Sequence, residues 1–429
     1  MTTRAAAHRT GLRRTARQGI ARDPAHHRQI TPLARMVRLN AKPRTVTQVT
    51  TIDRIDTLIL DIPTIRGHVL SMATMRTQAA VLVRIRFSDG SEGLGEGTTI
   101  GGLSYGPESP ESIRSAIDTY LAPALIGRAA DDVNGGVQLM DHVARGNRIA
   151  KTAVEIALWD GLGKRLGVSV AQLFGGAVHT RLPVAWTLAS GNSDTDIAEA
   201  EQMIATGRHR IFKLKIGKRA VADDVAHVAR IKSALGDAAS IRVDVNQTWT
   251  LTEARRGLPA LQDAGCELVE QPVAARYLGA MAELTRSHAI AVMADEALGG
   301  PEDALAVAAK GAADVFAVKI AQSGGLKRAA EVVAIGQAAG LGLYGGTMLE
   351  TGLSTAAALQ LFATVERLDW GTELFGPLLL TADILAQPII YRDFHVEVPT
   401  GPGIGATLDP YKIEFYRRDR APRIAVAGE

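Results

Sequence analysis

The chain has 429 residues, of which 46% are hydrophobic, so it is long enough for a large core and for two domains. Its net charge of +3 is unevenly distributed: residues 1–50 carry ten arginines and one lysine against one acid, whereas the remainder has a net charge of −7. A mildly acidic body gives no reason to expect nucleic-acid binding. The single cysteine, Cys266, excludes an internal disulfide and is expected to be buried apolar filler.

Residues 1–50 form a basic N-terminal extension that we expect to be disordered. Two alternatives stay open: a transit peptide, because the segment is rich in arginine and poor in acids, or a true start near Met36. The extension lacks the apolar stretch of a secretory signal, and no later stretch has the composition of a membrane span. We therefore expect a cytoplasmic protein without membrane contact.

Residues 51–180 are predicted to form an α+β domain. The stretch TQAAVLVRIRFSDGSEGLGEG alternates apolar residues before a Ser-Asp-Gly turn, which predicts an antiparallel hairpin. Two helices follow. The first opens with a predicted capping box of Ser109 and Glu111, and the second ends at Gly167.

Residues 181–385 alternate short apolar strands with helix-length segments. The predicted strands are IFKLKIG, SIRVDVNQ, CELVEQP, AVMADE, VFAVKIA, LGLYGGTMLE and WGTELFG. The first five each carry a polar residue near the C-terminal end, spaced 24 to 29 positions apart: Lys215, Asp244, Glu270, Asp295 and Lys319. Because this spacing is about one βα unit, the series predicts a parallel sheet that closes into an α/β barrel with one common mouth.

Three of these polar residues are acids at equivalent depth, namely Asp244, Glu270 and Asp295. Any one of them alone could cap the following helix. Three carboxylates brought together would repel one another unless a cation lies between them. Oxygen ligands without cysteine or histidine favour Mn²⁺ or Mg²⁺ over Zn²⁺. Asn246 and Glu296 lie beside these ligands and are candidates to support them.

The lysines suggest proton transfer beside a metal-bound carboxylate. Lys213 and Lys215 are two residues apart in a strand, so they share one face. Lys215 can act as a base only while part of its population is neutral, and the adjacent charge of Lys213 favours the neutral amine. Lys319 would reach the opposite face of the mouth.

The motifs FKLKIG, VDVNQ, VEQP, ADE, VKI and GTMLE, in this order, resemble those of the mandelate racemase/muconate-lactonizing subgroup of the enolase superfamily. A lysine base beside a metal-stabilised enediolate is the established arrangement of that superfamily. The resemblance covers about residues 52–418 and includes IPTIRGH, LPVAWTLASG and WGTELFGPLLLT. It implies an N-terminal α+β capping domain (51–180), a (β/α)₇β barrel (181–385) and a C-terminal segment (386–429) that returns to the cap.

The resemblance also implies roles for individual residues. Lys215 would be the proton-transferring base, Glu373 the proton donor, and Lys213 and Lys319 would balance the charge of the carboxylate and the intermediate. The implied reaction converts cis,cis-muconate to muconolactone in catechol breakdown through the β-ketoadipate pathway, and the implied assembly is a homo-oligomer, an octamer in the family. The basic extension has no counterpart in the family.

Selection of the small dicarboxylate substrate is expected to lie in the cap, because loops confer selectivity on a generic barrel. The stretches 64–75 and 98–106 are rich in Gly, Ser and Met, as mobile lids are, although an ordinary hairpin turn is the alternative. Ile100 and Tyr105 are candidates for substrate contact, as is Glu350 at the end of a strand facing the mouth. Spacing does not decide whether Glu350 or Glu373 is the more important acid.

Four other kinds of function remain open from the sequence. Closely similar enzymes act on chloromuconates, and sister reactions on the same scaffold include dipeptide epimerisation, N-acylamino-acid racemisation and o-succinylbenzoate synthesis. A Schiff-base aldolase would use Lys319 as nucleophile, but an imine needs no metal and the three acids argue against it. A non-catalytic binding protein is disfavoured because every residue that the chemistry requires is present.

Overall fold

The structure is a computed structural model that describes residues 49–69 and 74–420. The basic extension therefore lies outside the described residues up to position 48, and so do residues 70–73 of the stretch 64–75 and residues 421–429. The described residues from Val49 onward form one compact unit, so the boundaries after 180 and 385 remain a sequence-based division. Among the residues described, no helix combines the length and apolar character that a membrane crossing requires.

The cap begins with a three-stranded antiparallel sheet. Its strands are β1 (Ile52–Val69), β2 (Thr74–Phe87) and β3 (Glu92–Thr98). The side chains of β2 alternate near its end: Val83, Ile85 and Phe87 are buried, whereas the intervening Arg84 and Arg86 reach solvent. The predicted hairpin between β2 and β3 is confirmed. Residues on both sides of 70–73 pair with each other as the end of a second hairpin.

Helices cover this sheet. They are α1 (Pro110–Ala116), α2 (Ala122–Leu125), α3 (Val133–Val143), α4 (Arg148–Leu166) and α5 (Val170–Leu173), with a π-helical turn at Ile117–Leu121 and a 3₁₀ turn at Gly102–Ser104. Ser109 caps α1 as predicted, but the prediction of Glu111 as its partner is wrong. Ser112 occupies the third helical position and its hydroxyl accepts from the Ser109 amide, which Glu111, one residue earlier, does not do. Helix α4 ends at Gly167, whose φ of 69° suits glycine.

Seven parallel strands follow in chain order, after a short strand β4 (Arg181–Pro183). They are β5 (Trp186–Leu188), β6 (Ile211–Lys215), β7 (Ser240–Asp244), β8 (Leu268–Glu270), β9 (Ala291–Ala294), β10 (Val315–Val318) and β11 (Gly342–Gly345). Strand β5 was absent from the predicted strands because it has only three residues and no charged residue marks its end. Cys266 is 5% exposed, which confirms its place in the core.

Helices alternate with these strands and lie outside them. They are α6 (Ser193–Ala205), α7 (Val221–Leu235), α8 (Leu251–Asp263), α9 (Leu278–Ser287), α10 (Pro301–Lys310), α11 (Ile320–Ser323), α12 (Leu326–Ala338), α13 (Gly352–Phe362) and α14 (Gly376–Leu379), with a 3₁₀ turn at Gly236–Ala238. The alternation of parallel strands and helices confirms the predicted α/β class and barrel.

The predicted strand WGTELFG closes the barrel as a short bridging segment. Thr372 forms parallel bridges with Val184, just before β5, and with Gly345 at the end of β11. The amide of Ala185 donates to the carbonyl of Thr372 at 2.8 Å, and the amide of Glu373 donates to the carbonyl of Gly345 at 2.7 Å. Closure therefore places Glu373 at the mouth next to the first and last strands.

The C-terminal segment contacts strand β4, which precedes the barrel, and strand β1 of the cap. Strands β12 (Tyr391–Arg392) and β13 (His395–Glu397) form a small antiparallel sheet with β4, and helix α15 (Pro410–Tyr416) follows. Beyond that helix, Arg417 bridges Leu60 of β1, and the amide of Arg418 donates to the carbonyl of Ile59 at 2.8 Å.

Two buried acids of the cap join it to the barrel. Glu96 of β3 accepts from the amides of Thr351 (2.9 Å) and Ser354 (3.0 Å), so it caps the first turn of α13. Glu155 of α4 accepts from the amides of Leu326 and Lys327 at the start of α12. Burial raises the pKa of Glu155 to about 7 against these hydrogen bonds. The mouth of the barrel is thus fixed to the cap at two helix N-termini.

Candidate active site

Strand β6 brings both of its lysines to the barrel mouth. Its apolar residues Phe212 and Leu214 are fully buried in the layer between the strands and the outer helices, so alternation turns Lys213 and Lys215 inward. Lys213 is 1% exposed, and Lys215 lies one step nearer the opening. The predicted shared face is confirmed, since both lysines line one cavity.

The three predicted carboxylates meet at the same level. Asp244 pairs in register with Lys215 on one side and with Glu270 on the other, and Asp295 directly follows β9. One oxygen from each carboxylate lies within 4.8 Å of the other two, and all three side chains are buried. Burial and the charge of Asp244 raise the pKa of Glu270 well above its usual range.

These oxygens fit a hard divalent cation. Within the described part of the chain, Glu270 Oε1 and Asp295 Oδ1 are buried and accept no hydrogen bond. A buried carboxylate oxygen without a donor is costly, and a cation between the three carboxylates would satisfy it. The donor set contains neither cysteine nor histidine, which disfavours Zn²⁺.

Lys213 is held by carboxylates on two sides. Its ammonium donates to Glu270 Oε2 at 2.8 Å and to the carboxylate of Glu373. Burial disfavours the charge, but Glu270 and Glu373 outweigh it and raise the pKa of Lys213 well above its usual range. Lys213 is therefore a permanent cation of the site, able to donate hydrogen bonds but not to accept a proton.

Lys215 occupies a different environment. Its side chain is 13% exposed, its ammonium donates to Asp244, and Asn246 Oδ1 lies 3.4 Å away. Asn246 also donates to Asp244 (3.1 Å) and to Glu296 (3.2 Å), as its place beside the ligands suggested. Burial and the charge of Asp295 raise the pKa of Glu296 to about 8.

Lys319 reaches the cavity from the far side. Its ammonium donates to Asp295 Oδ2 (2.7 Å) and to the hydroxyl of Tyr105 (2.8 Å), which itself donates to Asp295 at 2.9 Å. The glycine at position 346 leaves room for the Lys319 side chain, because a Cβ there would lie 2.7 Å from Lys319 Cγ. Despite burial, Asp295 and Glu270 raise the pKa of Lys319 above its usual range.

The two candidate acids are placed differently. Glu373 lines the cavity, where it accepts from Lys213 and from the hydroxyl of Thr187 at 2.9 Å. The structure does not bring Glu350 to the cavity. Its carboxylate turns into its own loop and accepts from Thr347 and from the amide of Met348. Substrate contact by Glu350 therefore finds no support in this geometry.

The cap supplies three residues to the cavity. Ile100 and Tyr105 line it, as the stretch 98–106 was expected to do, and His68 enters from β1. The sequence analysis missed His68. It is 1% exposed, and burial together with Lys215, Arg66 and Lys213 lowers its pKa to about 3, so it is neutral. The sequence offered one signal for it: His68 is the histidine within the stretch 64–75, which was predicted to be a lid.

Two residues after β11 were also missed, namely Thr347 and Leu349. They lie in the segment GGTMLE, whose conspicuous residue in the sequence is the acid Glu350. The complete lining thus combines three lysines, Tyr105, His68, Asn246, Thr347 and Glu373 with two aliphatic residues.

The chain is similar in sequence and in fold to known enzymes. A sequence model of the mandelate racemase / muconate lactonizing enzyme N-terminal domain matches residues 54–175, and one described as enolase C-terminal domain-like matches residues 196–412. Muconate cycloisomerase 1-1 of Acinetobacter lwoffii is 53% identical, over 88% of this chain and 99% of that protein. A chloromuconate cycloisomerase of Pseudomonas sp. strain P51 is 43% identical, over 86% of this chain and 99% of that protein.

Among solved structures, the chain is similar to a muconate lactonizing enzyme of Pseudomonas fluorescens complexed with muconolactone. The TM-score is 0.86 at 52% sequence identity, over 86% of this chain and all of that one.

Proposed function

The chain belongs to the mandelate racemase / muconate lactonizing enzyme family, and on that premise we propose that it is an isomerase that interconverts cis,cis-muconate and muconolactone. The observation that carries the proposal is that three lysines line one cavity under the cap, and each donates to one of the three clustered carboxylates. The relative named muconate cycloisomerase has a higher sequence identity to this chain (53%) than the relative named chloromuconate cycloisomerase (43%).

Members of the enolase superfamily bind a divalent metal through such an acidic triad, and here Asp244, Glu270 and Asp295 would hold it. We propose Mn²⁺, with Mg²⁺ as the alternative, because all ligands are carboxylate oxygens. When bound, the cation would balance the negative charge that develops on a substrate carboxylate.

Proton transfer is assigned to Lys215. In lactonisation one carboxylate oxygen of muconate forms a bond to the γ-carbon, and an electron pair of the diene moves toward the other carboxylate. A proton must then arrive on the carbon beside that second carboxylate, which turns the dianion and a proton into the monoanionic lactone. Lys215 is the lysine that reaches toward the opening, its Nζ contacts Asp244, and we assign the delivery of this proton to it. In the reverse direction its neutral form removes the same proton.

The other cations stay charged and stabilise the developing charge. Lys213 and Lys319 are each fixed by a buried carboxylate, so they supply positive charge without moving protons. Glu373 keeps its predicted role as a proton donor, which would resupply the proton that Lys215 delivers, since it lines the cavity and Glu350 does not. A homo-oligomer and a role in breakdown of catechol belong to the same proposal.

The test is an ultraviolet assay for loss of cis,cis-muconate with Mn²⁺, run beside 3-chloromuconate and a dipeptide panel. Turnover of the unchlorinated muconate is expected. Activity on a dipeptide without turnover of either muconate would indicate that the protein is a dipeptide epimerase.

A further inference from the structure

Only two of the ten residues that line the cavity are aliphatic, namely Ile100 and Leu349. The substrate of the proposed function, on which this inference rests, has two carboxylates joined by an apolar chain of carbons. Charged and polar lining residues suit the carboxylates, whereas the carbon chain needs apolar surface. Ile100 and Leu349 therefore form the surface that a substituent on that chain would meet.

Leu349 adopts a backbone conformation that its side chain disfavours. Its φ is +60°, in the left-handed region that glycine and asparagine normally occupy. Such strain persists only where the surrounding structure imposes it, and it concentrates at functional sites. Here the strained residue is buried and lines the cavity.

The N-terminal sheet imposes this conformation. The side-chain Nε2 of Gln78, a buried residue of β2, donates to the backbone carbonyls of Met348 (3.0 Å) and Leu349 (2.7 Å). Within the loop, the amide of Leu349 donates to Thr347 Oγ1 at 2.9 Å. Both sides of the Leu349 backbone are thus held, one by its own loop and one by a side chain of the cap.

We propose that Leu349 is a specificity-determining residue, whose side chain limits the bulk that a substrate can carry on its carbon chain, and that Gln78 is its positioning residue. Gln78 does not itself line the cavity and acts through the Leu349 backbone. The cap would then influence selectivity through a contact with the barrel loop, in addition to its own side chains at the mouth.

The test compares kcat/KM on cis,cis-muconate and on 3-methyl-cis,cis-muconate. Leu349→Ala is expected to lower the preference for the unsubstituted substrate about tenfold, through KM of the methylated one, since a methyl group in an apolar pocket is worth roughly that factor. The informative quantity is the ratio of the two kcat/KM values, because a loss of rate common to both substrates cancels in it. Met348→Ala is the matched control, because Met348 is equally buried but does not line the cavity.

Gln78→Met keeps the length of the side chain and removes both donors. It should shift the substrate preference in the same direction as Leu349→Ala. In the Leu349→Ala background it should change the ratio of the two kcat/KM values less than about twofold, because the side chain that Gln78 positions is gone. A purely structural Gln78 would instead lower thermal stability and kcat on both substrates equally, with the ratio unchanged. If Leu349→Ala does not fold, Leu349→Gly replaces it, because glycine takes a φ of +60° without strain.

An unchanged ratio in the Leu349 variants, with the unmodified protein active, would overturn this inference alone. Inactivity of the unmodified protein on both muconates would overturn the proposed function and the inference with it.

Discussion

The ammonium of Lys213 lies 2.8 Å from Oε2 of Glu270, and both side chains are buried in the barrel. Among the described residues, Lys213 is the one hydrogen-bond donor to the Glu270 side chain, and the other carboxylate oxygen of Glu270 accepts none. Removing one partner of such a pair leaves an uncompensated buried charge, which costs far more than the pair itself contributes. Lys213, which does not move protons in the proposed reaction, is therefore expected to stabilise the metal-free barrel.

This relationship predicts a stability effect. In chelated protein, Lys213→Met should lower the free energy of unfolding by about 3–5 kcal/mol, measured by urea denaturation. Lys215→Met is the control and should cost less, because Asp244 keeps the donors of Asn246 at 2.8 and 3.1 Å. Equal losses in the two variants would contradict the assignment of Lys213 as the structural cation.

Removal of the metal is expected to abolish activity. Chelation leaves Glu270 Oε1 and Asp295 Oδ1 without a partner, and Mn²⁺ or Mg²⁺ should restore turnover. Asp244→Asn should weaken Mn²⁺ binding, measured by electron paramagnetic resonance, by at least about tenfold while circular dichroism stays unchanged. Restoration by Zn²⁺ alone, or persistence of activity after chelation, would argue against the three-carboxylate site.

Replacement of Lys215 should remove the proton carrier. We expect Lys215→Ala to lower kcat by about 10²–10⁴-fold with Mn²⁺ affinity retained. Lys215→Arg should not rescue it, because a guanidinium stays protonated at any working pH. Lys218→Ala, at an exposed position three residues on, is the control and should be fully active. Appreciable turnover by Lys215→Arg would refute the role.

Much of this site was predictable because charged residues interrupt apolar strands at a regular spacing. Lys215, Asp244, Glu270, Asp295 and Lys319 each stand out against an apolar strand, and parallel topology brings strand ends together. Glu373 was indistinguishable from Glu350 until closure at Thr372 placed it at the mouth.

What the sequence did not reveal depends on contacts distant along the chain. Gln78 and Leu349 are 271 residues apart, and neither has a neighbour whose type signals their contact. The left-handed conformation of Leu349 follows from that packing and contradicts the local preference of leucine. His68 likewise reaches the cavity only because β1 ends over the barrel.

Ile100 is expected to contribute to substrate discrimination. The unmodified protein should prefer cis,cis-muconate over 3-chloromuconate by about ten- to two-hundred-fold in kcat/KM. Ile100→Val should reduce that ratio with little change in rate on the preferred substrate, because Ile100 lines the cavity away from the proton being moved. Ile113→Val, buried in α1 outside the cavity, should leave the ratio unchanged. Equal kcat/KM on both muconates would reject the assignment.

Acid sensitivity is expected to arise in part from His209. This residue is fully buried, its Nδ1 lies 3.1 Å from the carbonyl of Val184, and its ring lies 5.2 Å from that of Trp186. Burial lowers the pKa of His209 from 6.5 to about 4. Between those values the unfolded chain binds a proton that the folded protein does not, so stability falls as the pH falls. The contribution is complete above pH 6.5 and decreases by about 1.4 kcal/mol per pH unit below it, or about 2 kcal/mol at pH 5.

His209→Phe removes this titration and retains a ring beside Trp186. The loss of the Val184 contact lowers stability by a constant amount, so the informative quantity is the slope of unfolding free energy against pH from 7 to 5, measured by urea denaturation. That slope should be flatter in His209→Phe than in the unmodified protein. His142→Gln, at an exposed position on α3, should keep the original slope. An identical slope in His209→Phe would show that His209 is protonated equally in the folded and unfolded states, and that the buried ring does not exclude the charge.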